Sequence, residues 1–327
     1  MAQPTLTQVH VSRALTNISV AYMQEADNFL ATRVFPRVPV TNQANKYFVY
    51  SQADFYRSDA KRRGPGAQAA RSGYNVDATG TYSCDRDALG HAIADPIRAN
   101  ADAPLDLDRE ATEYLSQQLL LVQETRFQGS FFKTGVWTGG TGGTDVTPTT
   151  KWDDAASTPI EDIRAQIRQV FSGTGYNPNK LVLGRKTFDN LLDHPDLIDR
   201  IKYGQTNMGP ARANEEIMAQ LFGVEEVIVA NALQNTAIEG AAASYSFIND
   251  QKSALLVYAP ANPGLMIPSG GYTFVWGGAE GADSGTGVRV KRYRAETEES
   301  DIVEAEMWYD QRLVAPTLGA FFTAAVS

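Results

Sequence analysis

The sequence predicts an α+β fold that combines projecting β-structure, one long helix and a mixed α/β unit. Three observations carry this. Aromatic-rich extended runs flank a polar tip between residues 46 and 84, a helical apolar period runs from 106 to 132, and helices alternate with short apolar strands from 158 to 230. Of 327 residues, 43% are hydrophobic and 20% charged, enough to bury one large or two medium cores. A net charge of −9 argues against a dedicated nucleic-acid binder, whose affinity rests on cations displacing phosphate counterions.

A lone cysteine, Cys84, cannot form an intramolecular disulfide, and with the scattered His10, His91 and His194 it is poor material for zinc. No metal and no cofactor is expected. Apolar runs stay far below the ~20 residues that cross a bilayer, and the N-terminus lacks the basic start and apolar stretch of a secretory leader. The expectation is a chain of cytoplasmic origin with no membrane partner.

The elements follow in chain order. Residues 1–44 read as an extended N-terminal arm, because Val34-Phe35-Pro36-Arg37-Val38-Pro39-Val40 removes two amide donors and permits an arm or a sheet edge, not a helix. Its apolar Phe29, Leu30, Val34 and Phe35 need a surface to lie on. Residues 45–95 read as an extended hairpin loop, with Tyr47, Phe48, Phe55 and Tyr56 along the first run and Lys61, Arg62, Arg63 and Arg71 in the flexible tip. An isolated two-stranded ribbon is marginal in water, so the hairpin is expected to rest on its own domain or on a neighbouring subunit.

Residues 96–154 contain the long helix and a glycine-rich loop at 138–144. Leu107, Ala111, Tyr114, Leu115, Leu121, Val122 and Phe132 are placed on its apolar face, with Arg109, Gln117, Gln123 and Glu124 elsewhere. At 1.5 Å per residue such a helix is about 40 Å long. Residues 155–285 form the mixed α/β unit, opened by Thr158-Pro159-Ile160-Glu161, a capping box with proline at the first helical position, ahead of Ile163, Ile167, Val170 and Phe171 at helical spacing. Residues 286–327 return to β-structure. There, Arg289, Lys291, Arg292 and Arg294 precede Glu296, Glu298, Glu299, Asp301, Glu304 and Glu306, so a turn near 298 makes a self-neutralising hairpin in which Arg292 and Glu304 face each other.

Motifs for catalysis are missing. Leu181-Val182-Leu183-Gly184-Arg185-Lys186-Thr187 runs from strand to helix like a phosphate loop, but Arg185 and Lys180 stand where the glycines must be. No G-x-S-x-G, H-E-x-x-H or helix-opening G-x-G-x-x-G occurs, His194 reads as a helix cap or a surface residue, and Cys84 reads as a small apolar filler. No catalytic residue is expected. Projecting elements without chemistry describe an assembly subunit rather than an enzyme.

In the order of its segments the chain resembles the tailed-bacteriophage major capsid proteins of the Hong-Kong-ninety-seven-like fold. The likeness rests on Val34 to Val40 followed by Lys46-Tyr47, on Arg98-Ala99-Asn100-Ala101-Asp102-Ala103-Pro104-Leu105-Asp106-Leu107-Asp108, on Leu181-Val182-Leu183-Gly184, and on His194-Pro195-Asp196 through Ile201-Lys202-Tyr203-Gly204. This resemblance implies a peripheral domain built on the long spine helix and terminal strands, and an axial domain gathered at the centres of pentamers and hexamers. It makes Phe35, Tyr47, Phe48, Phe55, Tyr56, Lys61, Arg62, Arg63 and Arg71 the expected assembly interface of arm and extended loop. It further implies an icosahedral virion shell, assembled in the bacterial host cytoplasm, that encloses double-stranded DNA without binding it specifically. A separate scaffolding protein, a portal protein and a decoration protein are the candidate partners. No motif for a covalent crosslink is present. The alternatives are an encapsulin compartment on the same fold, which holds a cargo enzyme, and, more distantly, a phosphate-ester or nucleotide enzyme.

Overall fold

The computed structural model describes residues 23–101, 105–141, 143–204, 214–264 and 266–327. Two five-stranded sheets dominate. The strands of the first are β1 (Arg37–Val40), β4 (Asp85–Ala94), β11 (Gly271–Trp276), β12 (Val288–Ala295) and β13 (Ser300–Leu313). The fourteen-residue β13 is its centre: β12 pairs with Ser300 to Met307, β4 pairs with Ser300 to Tyr309, and β11 takes the second half, all antiparallel. Pro39 is tolerated in β1 because this strand joins β11 in parallel at the edge, where one amide can be missing.

The second sheet runs β5 (Asp145–Val146), β14 (Gly319–Phe322), β10 (Ala254–Val257), β6 (Lys180–Gly184) and β7 (Glu226–Ala230). These strands read as continuous apolar runs because both faces are covered. Leu181, Leu183, Leu256 and Phe322 point to one core, and Val182, Leu255, Val257 and Phe321 to the other. Around the sheet lie α4 (Pro159–Thr174), α5 (Arg185–Leu192), α6 (Pro195–Gly204) and α7 (Glu215–Phe222). Ile160 and Ile163 of α4, together with Met218 and Phe222 of α7, fill the first core. Asn214 caps α7 by accepting the amide of Ile217 at 2.8 Å, and Gly223 ends it in the left-handed conformation.

Between the two sheets runs the long helix α3 (Leu107–Ser130), after the short α2 (Asp95–Asn100). Asp106 caps α3 by accepting the amide of Arg109 at 3.2 Å. Ala111, Leu115 and Leu119 pack on the first sheet with Ile93, Val275, Val303, Ala305 and Met307, whereas Phe127 enters the core of the second. The buried side of α3 thus repeats every four residues from 111 and continues into Gln123, Glu124 and Phe127. Tyr114 and Val122, expected on the apolar face, are exposed, and Gln123 and Glu124, expected outside, are buried. The cause is that α3 outlasts the first sheet and its far end is covered by other segments.

Those segments include the end of the arm. Phe29, Leu30, Val34 and Phe35 are buried in this chain's own cores, with the Phe35 ring 5.5 Å from Phe127 and 5.0 Å from Phe131. Phe35 is therefore a core residue rather than a contact for a neighbour. Residues 1–22 of the expected arm lie outside the described residues.

Residues 85–94, read from sequence as hairpin, are β4 of the first sheet. The ribbon itself is β2 (Ala44–Tyr50) with β3 (Val76–Ser83), interrupted by a register shift between Tyr47 and Val49. The β12–β13 turn falls where expected, at 296–298, but the register is one residue away from the expected one. Lys291 faces Glu304, Arg289 faces Glu306, and Arg292 lies opposite Val303. Because alternate side chains change face, Arg292 instead reaches Asp301 at 2.7 Å and Asp108 at 3.1 Å.

Candidate assembly surface

The nine residues expected to make the interface divide by geometry. Tyr47 lies over the base of the ribbon with its ring 5.6 Å from Phe274 in a stacked arrangement, and burial raises its phenol pKa. Like Phe35, it is largely committed inside the subunit. Tyr56 follows the one-turn helix α1 (Gln52–Phe55) and donates its hydroxyl hydrogen bond to the carbonyl of Thr174, while Gln52 Nε2 donates to Gly173 O at 2.6 Å. Both acceptors are end carbonyls of α4, which lack partners within the helix. Gly175 closes α4 at φ 74°, and a Cβ there would lie 2.7 Å from the Tyr56 hydroxyl. The hairpin is thereby tied to the α/β half of its own chain.

Phe48 and Phe55 remain outside, 65% and 48% exposed. Phe48 sits at the register shift that turns it away from the ribbon's paired face. Phe55 forms an open cluster with Tyr50 and Tyr74 at ring separations of 5.9 and 5.6 Å, and Asp54 braces it by accepting both the amide and Nδ2 of Asn75. Those bonds, led by the one from the Asn75 amide, hold the Asp54 carboxyl below the usual carboxylate range. Lys61, Arg62, Arg63 and Arg71 are exposed and make no ion pair among the described residues. An uncompensated cationic tip and an aromatic flank thus project on one loop.

Other charges are settled within the subunit. Glu306 is wholly buried beneath Arg86, Arg289 and Lys291, with Lys291 Nζ at 3.0 Å. Burial pushes this carboxyl up, but bonds from Lys291 and Arg289 win and hold it down at about 2. Arg126 chelates Asp87, and Arg98 chelates Asp108 at 2.8 and 2.9 Å, tying the ends of α3 to the first sheet and to α2. One buried acid has no cation: Glu124 accepts the amide of Ala31 at 2.9 Å and Nδ2 of Asn249, and burial raises it to about 7. Sequence reasoning missed it, and its only trace was the neighbouring buried positions 119, 123 and 127.

Groups that could suggest catalysis are accounted for structurally. Ser157 Oγ and His194 Nε2 are 3.0 Å apart, but His194 Nδ1 accepts the amide of Asp196, so Nε2 carries the proton and cannot act as a base towards the serine. Behind the phosphate-loop-like turn, the amide of Thr187 donates to Gln251 O and that of Gly184 to Ser253 O, which leaves neither for a phosphate. Cys84 is buried beside Phe274, and desolvation pushes its thiol up to about 12, far from a thiolate nucleophile. Among the described residues no cluster of three metal-ligating side chains occurs, and no helix is long and apolar enough to cross a membrane.

Known proteins give this geometry its context. The family described as "Phage major capsid protein E" matches residues 141–302. The "Major capsid protein" of Pseudomonas phage JBD67 is 28% identical over 230 residues, which is 69% of this chain and 70% of that protein. A phage-related protein from Bordetella bronchiseptica RB50 superposes with a TM-score of 0.69 at 21% identity, over 92% of this chain and 93% of its own. The SrpI encapsulin of Synechococcus elongatus PCC 7942 has the same fold at a TM-score of 0.57, but at 11% identity over 100% of this chain and 98% of its own. In sequence the chain is similar to phage major capsid proteins, and it has the Hong-Kong-ninety-seven-like fold that phage capsid proteins and an encapsulin share.

Proposed function

We propose that many copies of this chain close into the icosahedral head shell of a tailed phage, with the double-stranded DNA genome inside. In this reading the first sheet and α3 belong to the peripheral domain, which takes β11 out of the expected axial range 155–285 and β14 out of the terminal strands expected to return to the peripheral domain. The second sheet and its helices belong to the axial domain at the centres of pentamers and hexamers, and the β2–β3 hairpin lies over an adjacent subunit. The observation that carries the reading is the hairpin: its cations pair with no acid among the described residues and its Phe48 and Phe55 stand exposed, whereas its stem is fixed by Gln52 and Tyr56. An acidic subunit suits a DNA container, because a wall that gripped phosphate would resist packaging and release. A separate scaffolding protein, a portal and a decoration protein are the partners that such a shell would use, and assembly would take place in the host cytoplasm.

Deleting residues 58–72 tests the clasp. The subunit should fold with wild-type circular dichroism, because these residues contribute nothing to the buried cores. Negative-stain microscopy should then show no stable shells. Normal shells from the deletion would refute the role of the loop.

A further inference from the structure

A cavity of about 280 Å³ lies where α3 crosses the first sheet. Leu120, Val275, Val288, Met307 and the Tyr309 ring give it an apolar wall, and Gln123 closes one side. Two polar features at this lining are unusual. Thr273 is 1% exposed, yet its hydroxyl has no hydrogen-bond partner among the described residues. Directly across the β1–β11 pairing, hence on the same sheet face, Arg37 lines the cavity with a guanidinium that is only partly exposed and makes no hydrogen bond or direct ion pair among the described residues. Asp283 is near enough for its charge to interact with Arg37 but makes no direct ion pair with it, and its Oδ2 accepts the amide and hydroxyl of Thr286 at 2.8 and 2.6 Å. Buried polar groups are normally satisfied, and a guanidinium with no direct bonding partner beside an orphan hydroxyl at an apolar hollow is an arrangement that can hold an anion with a carbon tail.

We propose that this cavity binds a small amphipathic monocarboxylate. The carboxylate accepts bonds from Arg37 and from the Thr273 hydroxyl, and an apolar group of roughly five to ten heavy atoms fills the space against Leu120, Met307 and Tyr309. A bound molecule would touch both α3 and the sheet, joining two surfaces that here leave a gap.

Hexanoate and phenylacetate are the probes, with hexanol as the uncharged counterpart, titrated calorimetrically into the full-length protein. The expected result is one saturable site per subunit for the carboxylates, at least tenfold weaker for hexanol and for Arg37→Met, and partly restored in Arg37→Lys. Val288→Phe, which fills the cavity without touching Arg37, should abolish it. Shell formation by each variant serves as the folding control, and the melting temperature of wild type should rise with hexanoate alone. Equal binding of hexanol and hexanoate would overturn the anion assignment. Absence of carboxylate binding, or binding indifferent to both Arg37→Met and Val288→Phe, would overturn the site.

Discussion

Replacing Glu124 by glutamine should remove a pH dependence that one buried carboxyl imposes on the whole subunit. Its folded-state pKa of about 7 lies above the ordinary 4.5, so the folded chain holds this proton more tightly than the unfolded one. The stabilisation from proton binding is complete below about pH 4.5 and is lost as pH rises through about 7. The full displacement corresponds to about 3 kcal/mol, of which about 2.5 kcal/mol falls between pH 5 and pH 8. Glutamine keeps an acceptor for the Ala31 amide. Asn249 can rotate to meet the new amide, since its Oδ1 has no partner now. Any fixed cost of the substitution is therefore independent of pH. Urea unfolding of unassembled subunits, followed by emission of the buried Trp137 and Trp152, measures both proteins at each pH. The wild-type advantage over the variant should shrink by about 2.5 kcal/mol between pH 5 and pH 8. His91, whose pKa burial lowers, contributes the opposite trend but equally to both proteins, so it cancels in the difference. Identical pH slopes for wild type and E124Q would show that Glu124 is not the titrating group.

Two further substitutions probe the joints. Glu306→Ala leaves Arg86, Arg289 and Lys291 facing one another without their shared acid, and should lower unfolding free energy by about 2–4 kcal/mol at neutral pH, a loss that shrinks as pH falls from about 4.5 to about 2 and the wild-type carboxyl is itself protonated. Gly175→Ala forces a side chain into a left-handed position against Tyr56, and should cost about 1–2 kcal/mol and release the hairpin base, seen as faster amide exchange across residues 52–56.

Much of this architecture was legible because local chemistry and tertiary demand agreed. Proline at the first position of α4 announces a helix that its apolar period then confirms at Ile160, Ile163 and Val170, although the Thr158 side chain makes no cap bond and the expected capping box does not form. The apolar strands of the second sheet likewise advertised burial on both faces. Legibility failed where one element meets two environments. The face of α3 was misjudged at Tyr114, Val122, Gln123 and Glu124, because its lower half packs on one sheet and its upper half beneath the N-terminal segment and the loop carrying Asn249. Pattern alone also left the β12–β13 register open by one residue, since basic and acidic side chains crowd both faces and charge matching tolerates either pairing. For the expected interface, composition marked aromatic and basic residues equally. Only three-dimensional placement separates the inward Phe35 and Tyr47 from the outward Phe48 and Phe55.

The passage of α3 through two cores has a mechanical consequence. Leu115 is gripped by one sheet and Phe127 by the other, three turns along the same rod. The halves of the subunit therefore share a beam instead of meeting at a flexible joint, and neither can swing without bending helix or tearing out a packed ring. Pressure on a wall built from such units would be resisted as flexural stiffness within each tile, leaving the seams between tiles as the softer places where the wall can yield.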